Sequence, residues 1–170
     1  MRRRNKVQRR RTVCNVSYHR CMPDRQLFLK AAAASGYAGQ LAEHRLRDVG
    51  LPAFLVATLT HIRDLEPVPP SVISSVSGVP MTTLRDNIQR LVDRKLVRRT
   101  PNPDDGRSYL LRLTPRGRRV VDAAGDALFA AYVALERRLP RPLAEYERAL
   151  DELNTSLELT LRDLAVSRTR

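Results

Sequence analysis

The sequence predicts a mainly α-helical fold carrying one small β-hairpin, and three observations predict it. Apolar residues recur at helical spacing through six segments of the chain. Two short apolar runs, Leu96-Val97 and Tyr109-Leu110-Leu111-Arg112-Leu113, flank TPNPDDGRS, a stretch dense in turn-forming residues. Cations gather on that hairpin (Arg98, Arg99, Arg107, Arg112) and on the helical segment just before it.

That helical segment opens at Pro80, a residue suited to a first helical position. Leu84, Ile88, Leu91 and Val92 form its apolar stripe. Thr82, Arg85, Asp86, Gln89 and Asp93 fall on the other side, flanked by Arg90 and Arg94. Such side chains hydrogen-bond base edges, with cations at hand for phosphates. Thr82, Thr83, Arg85 and Gln89 are the major-groove candidates. A reading helix followed by a basic hairpin is the layout of a winged helix-turn-helix. Arg107 and Ser108 mark the wing tip, and an Arg suits the negative potential of a narrow minor groove. Asp105, two residues earlier, is placed to orient Arg107 by a charge-assisted hydrogen bond.

Residues 78–117 resemble the MarR family of bacterial transcription regulators. Asp105-Gly106-Arg107, five residues, then Leu113-Thr114-Pro115-Arg116-Gly117 matches the family's D-x-R-x5-L-T-x-x-G wing signature. GVPMTTLRDNIQRLVDRKLVRR follows the family's helix pattern without a gap. It departs at Pro80, where Ser is usual, and at Lys95, where Gly is usual. The resemblance implies a DNA-binding lobe over about 51–116, between dimerisation helices over about 23–49 and 115–166.

The remaining segments fit that plan. Residues 23–49 are helical, with Leu27, Ala31, Ala34, Ala38 and Leu41 in phase. The resemblance places this helix, Leu27 included, in a dimer interface. A helix from Leu51-Pro52 to about Asp64 turns Phe54, Leu55, Leu59 and Ile62 inward. Glu66-Pro67-Val68-Pro69-Pro70 reads as a rigid linker, and Ser71–Ser77 as a short helix. Ser77-Gly78-Val79 is the sharp turn into the reading helix. Thr114 caps a helix starting at Pro115 and running to about Arg138. The last helix, about 142–166, carries a seam of Leu143, Tyr146, Leu150, Leu153, Leu157, Leu161 and Leu164. Its near-3.5 period, too long for a small monomer to bury, predicts a two-fold homodimer.

The 170 residues carry a formal charge of +13. Residues 1–25 hold nine Lys or Arg against one acid, so residues 1–22 read as a basic, unstructured arm. Nucleic acid is the first partner such a bias suggests. No apolar run approaches the ~18 residues of a spanning helix, and no apolar region follows the basic start. The expected location is therefore the cytoplasm. Nucleophile elbow, P-loop, dinucleotide fingerprint and metal-ligand spacing are all lacking, so neither an enzyme, a cofactor nor a metal site is expected.

The expected partners are double-stranded DNA, as a pseudo-palindromic operator with half-sites ~34 Å apart, and a second copy of the chain. The resemblance further implies a repressor released by a phenolic or aromatic-acid effector, with Tyr37, His44, Arg45 and His61 as candidate lining. Two alternatives stay open. One is an architectural DNA binder dominated by the basic arm. The other is a thiol sensor using Cys14 and Cys21, set among arginines that lower a thiol pKa.

Overall fold

The computed structural model describes residues 26–167. The predicted arm, with Cys14 and Cys21, and the expected helix start at Pro23-Asp24 lie outside the described residues. The described elements are α1 (Gln26–Arg45), a 3-10 turn (Arg47–Val49), α2 (Ala53–Leu65), α3 (Pro70–Ser77) and α4 (Met81–Asp93), then β1 (Val97–Pro101), β2 (Tyr109–Leu113), α5 (Pro115–Glu136) and α6 (Leu143–Ser167). The chain divides into two compact units, Met1–Ala38 and Gly39–Arg170, where the sequence predicts one domain from residue 23. The described part of the first unit is the start of α1, and α1 buries no side chain. The described part of that unit therefore has no core of its own.

The second unit has one apolar core. Leu55, Leu59 and Ile62 of α2, Ile73 of α3, Leu84, Ile88 and Leu91 of α4, Leu111 and Leu113 of β2, and Val121 and Ala124 of α5 share it. Steps of four and three bring Leu84, Ile88 and Leu91 onto one helix face, and all three are fully buried. Each such side chain contributes roughly 1.5–3 kcal/mol of burial. This core sets the opposite face of α4 toward solvent.

Several boundaries differ from the expectation. α1 ends at Arg45, and a 3-10 turn over Arg47–Val49 replaces the end of the expected 23–49 helix. Pro80 precedes α4 as its cap residue rather than opening it. Its ψ of 141° is extended, while its carbonyl accepts the first helical bond from Leu84 at 2.9 Å. The linker supplies a bridge to the hairpin: Val68 and Leu111 exchange backbone bonds of 3.3 and 2.8 Å. Val68 is flanked by prolines, which have no N–H to give, so the bridge is confined to this residue. Strand β1 extends to Pro101, in antiparallel register from Val97↔Leu113 to Pro101↔Tyr109. Pairing uses backbone groups, so Arg98 and Arg99 join the strand with their side chains exposed.

Glu66 is the polar fastener of this lobe. Its side chain is 9% exposed and pairs with Arg118 at 2.5 Å, while Oε2 accepts the Leu113 N–H at 2.6 Å. At the other end of the unit, the Tyr132 hydroxyl of α5 donates to Glu147 of α6, which raises the Tyr132 pKa. Among the described residues no helix is long and apolar enough to cross a membrane.

Candidate nucleic-acid interface

The turn between α3 and α4 is fixed by a left-handed residue and two hydroxyls. Gly78 has φ 67°, a conformation open to glycine at little cost. Ser74 Oγ donates to the Val79 carbonyl at 2.7 Å, and Ser77 Oγ accepts the Val79 N–H at 3.3 Å. The far end of α4 is closed as tightly. Leu96 N–H bonds to Leu91 O at 2.9 Å and Lys95 N–H to Val92 O at 2.8 Å. This is the Schellman pattern, with its left-handed residue at Lys95, φ 56°. Leu91 and Leu96, both buried, supply the apolar contact that accompanies it.

The wing signature now has a physical reading. Thr114 Oγ1 donates to Lys95 O at 2.8 Å and accepts the Gly117 N–H at 3.0 Å, capping α5 as predicted. Gly117 packs so closely on Leu96 that a β-carbon there would lie 2.1 Å from the Leu96 carbonyl oxygen. The L-T-x-x-G segment thus binds the end of the reading helix to the start of α5.

Asp105 acts differently from the expectation. Its carboxylate accepts the Arg107 backbone N–H at 3.0 Å, and its carbonyl accepts the Ser108 N–H at 2.9 Å. The carboxylate shapes the loop rather than holding the guanidinium, because a residue two places back reaches the main chain first. Asn102 completes the loop, donating to Ser108 Oγ at 2.7 Å. The Arg107 side chain is left exposed at the tip.

Thr82, Thr83, Arg85, Asp86, Gln89 and Arg90 are all exposed on α4, and Arg94 is exposed just past its end. Arg94 Nη1 donates to Gly50 O at 3.4 Å, and the Arg90 guanidinium lies 6.0 Å from the Phe54 ring centre. Among the described residues, the arginines of α4 and the hairpin take part in none of the ion pairs, which involve Arg63, Arg118, Arg141 and Arg162. Their guanidinium groups are therefore not held by a close carboxylate, although Asp86 and Asp93 share the helix with Arg85 and Arg90.

Of the expected effector residues, His44, Arg45 and His61 take separate places in the second unit. Arg45 Nε donates to the Ala127 carbonyl at 3.0 Å, a bond between α1 and α5. His44 Nδ1 lies 3.3 Å from Arg47 Nη2 and lines a shallow cleft with Gln40 and Pro52. His61 lines a different cavity, of about 500 Å³, with Phe54, Val79, Thr83, Asn87 and Arg90. Tyr37 is 73% exposed. His44 and Arg45 are adjacent on a helix, so their side chains diverge.

Sequence reasoning overlooked Asn87, Glu66 and the role of Arg99. Asn87 is buried on the core side of α4, where its amide donates to Thr58 Oγ1 at 3.4 Å. Its place three residues after Leu84 was the available signal. Arg99 donates to Gln89 Oε1 at 2.9 Å and stacks 4.9 Å from the Tyr109 ring centre.

Residues 53–117 match the family model of a winged helix DNA-binding domain. This chain carries a winged helix domain in a MarR-type fold. A curated relative also matches: the HTH-type transcriptional repressor NicR of Pseudomonas putida is 32% identical over 76 residues, 45% of this chain and 48% of NicR. The match spans about half the length of NicR. Among solved structures, a MarR mutant from E. coli complexed with operator DNA aligns at TM-score 0.68 and 23% identity, covering 75% of this chain and 92% of that one. The M. tuberculosis regulator MOSR in complex with DNA aligns at TM-score 0.70 and 22% identity, covering 78% and 96%. At these identities the structural likeness is one of fold, and it extends from the winged helix into the flanking helices.

Proposed function

We propose that this chain is a DNA-binding transcriptional regulator of MarR type, acting as a homodimeric repressor. The observation that carries the reading is the juxtaposition of α4's exposed face with an arginine-rich hairpin whose arginines form no ion pair among the described residues. The core holds α4 by one side only, and its C-terminal end is closed by backbone bonds. What remains outward is a polar helix face carrying Arg85 and Arg90 next to a projecting wing. Helix insertion in the major groove with wing contact alongside is the use such an arrangement fits. NicR is named a repressor, and MarR and MOSR were solved with DNA, which supports the same reading.

The homodimer is supported by what the chain leaves uncovered. Neither α1 nor the 25-residue α6 buries a single side chain. On α6, Leu150, Leu161 and Leu164 are 55%, 67% and 59% exposed. Apolar rows of that length ask for a partner, and an isologous two-fold contact supplies one from the same surface.

The His61 cavity favours release by a small aromatic acid. It offers an aromatic wall in Phe54 and a cation in Arg90, and Thr83 and Asp86 line it from α4. A ligand there would touch side chains that face DNA, and so would bind the DNA-free state better. That difference in affinity is what shifts the population.

The test is binding-site selection from random duplex DNA at near-physiological salt, with the full chain and with residues 1–22 removed. Enrichment of one pseudo-palindrome by both is the expected result. Absence of any enriched site, or binding that disappears with the arm, would overturn the reading in favour of an architectural binder.

A further inference from the structure

We infer that Arg99 is a DNA-contacting cation held in place by Gln89 and Tyr109, and that Gln89 acts through it rather than by reading a base. This rests on the proposed DNA-binding function. Both ends of the Gln89 amide are occupied within the chain. Its Nε2 donates to Asp93 Oδ1 at 2.7 Å, and its Oε1 accepts from Arg99 Nη2 at 2.9 Å. The chemistry of the neighbours fixes this orientation. A carboxylate only accepts and a guanidinium only donates, so the amino group faces Asp93 and the carbonyl faces Arg99. Bidentate recognition of adenine would use the same two groups. Each group keeps one further donor or acceptor position, but the orientation of the amide is set by Asp93 and Arg99 rather than by a base.

Arg99 is in the opposite condition. The bond to Gln89 uses one of its five N–H donors. The guanidinium stacks on Tyr109, is exposed, and has no carboxylate partner among the described residues. Asp93 and Gln89 belong to α4, Arg99 to β1 and Tyr109 to β2. The cation therefore sits at the junction of reading helix and wing, with its free donors already oriented. Ordering a side chain before binding removes that cost from the binding step. A phosphate is the group a spare guanidinium fork fits best.

The substitution that a base-reading Gln89 would make most damaging becomes informative. Affinity is measured over a salt series for the full chain, Arg99→Ala, Arg99→Lys, Gln89→Ala and the Arg99→Ala/Gln89→Ala double variant. Each is assayed on the selected operator and on a random-sequence duplex, with thermal melting in parallel. Arg99→Ala should weaken both duplexes about tenfold and shrink the slope of log K against log salt by about 0.9, one phosphate contact. Arg99→Lys, which keeps the charge, should restore the slope. Gln89→Ala should weaken both duplexes less, leave the selected motif unchanged, and add nothing in the Arg99→Ala background. A purely structural role would lower the melting temperature without moving the salt slope. An unchanged slope in Arg99→Ala, additive losses, or a motif altered at one base pair by Gln89→Ala would each overturn the inference while leaving the DNA-binding reading intact. A wild-type chain that binds neither duplex would overturn both.

Discussion

The carbonyl oxygen of Leu96 occupies the space in which a β-carbon on Gly117 would stand, 2.1 Å away. Leu96 follows the closing turn of α4, and Gly117 lies in the first turn of α5. Their contact is main chain against main chain, so no rotamer change can relieve a larger residue. Gly117→Ala should destabilise the lobe by about 3 kcal/mol, the upper range for overpacking. Urea denaturation followed by circular dichroism would read it, and a loss below about 0.5 kcal/mol would mean that the two helices part easily.

Lys95 makes the reverse case. It holds φ 56° at a position where the Schellman closure favours glycine. A non-glycine residue there bears a cost of roughly 1–2 kcal/mol. Part of that gain is offset because glycine also enlarges the unfolded ensemble. Lys95→Gly should stabilise the chain by about 1 kcal/mol, seen as a higher denaturation midpoint with an unchanged slope. A lower midpoint would show that the Lys95 side chain contributes more than its backbone costs.

Glu66 tests the fastening of linker to wing. Its carboxylate satisfies the Leu113 N–H and pairs with Arg118. Glu66→Ala leaves that N–H without its acceptor, at a cost of about 2 kcal/mol. Glu66→Gln keeps an acceptor and should recover most of it, since the Arg118 side chain is 55% exposed and its charge is well screened. Equal losses in the two variants would shift the weight from the Leu113 bond to the ion pair.

Much of this was legible in the sequence because periodicity and punctuation report local structure directly. The α4 stripe, the Gly78 turn, the Thr114 cap and the existence of the α6 helix all follow from residue type at short spacing. Pairing between distant segments was not legible. Nothing near Glu66 announces that its acceptor role lies with Leu113, 47 residues on. The β1 limit was misjudged because Arg98 and Arg99 look like loop residues, whereas strand pairing asks only for their backbone. The exposed residues of α4 were identifiable as a face, but the occupancy of Gln89 depends on Arg99 ten residues away. His44, Arg45 and His61 were named as lining because of the resemblance rather than from spacing; His44 and Arg45 point apart on α1, and His61 lines a different cavity.

The seam of α6 can be tested without DNA. Leu161 is 67% exposed and lies on a helix with no buried residue. Leu161→Asp should leave helix content and the core intact while shifting the chain toward monomer in analytical ultracentrifugation. Leu164→Asp should act in the same direction. A dimer that survives both substitutions would place the self-association surface elsewhere, with the exposed leucines as tolerated surface.

The wing tip separates two roles that the signature combines. Asp105, Asn102 and Ser108 hold the loop through main-chain and hydroxyl bonds, none of which uses the Arg107 guanidinium. Arg107→Ala should therefore change stability by no more than about 0.5 kcal/mol while weakening operator binding. If the guanidinium enters a narrow minor groove, the loss should be greatest on operators with A·T-rich flanks, whose grooves carry the stronger negative potential. Asp105→Ala should weaken binding too, but by loosening the loop, so its effect should depend little on the flanking sequence. Competition titrations on paired operators differing only in their flanks would distinguish the two. An unaltered affinity in Arg107→Ala would remove the wing tip from the interface and leave recognition to α4 and Arg99.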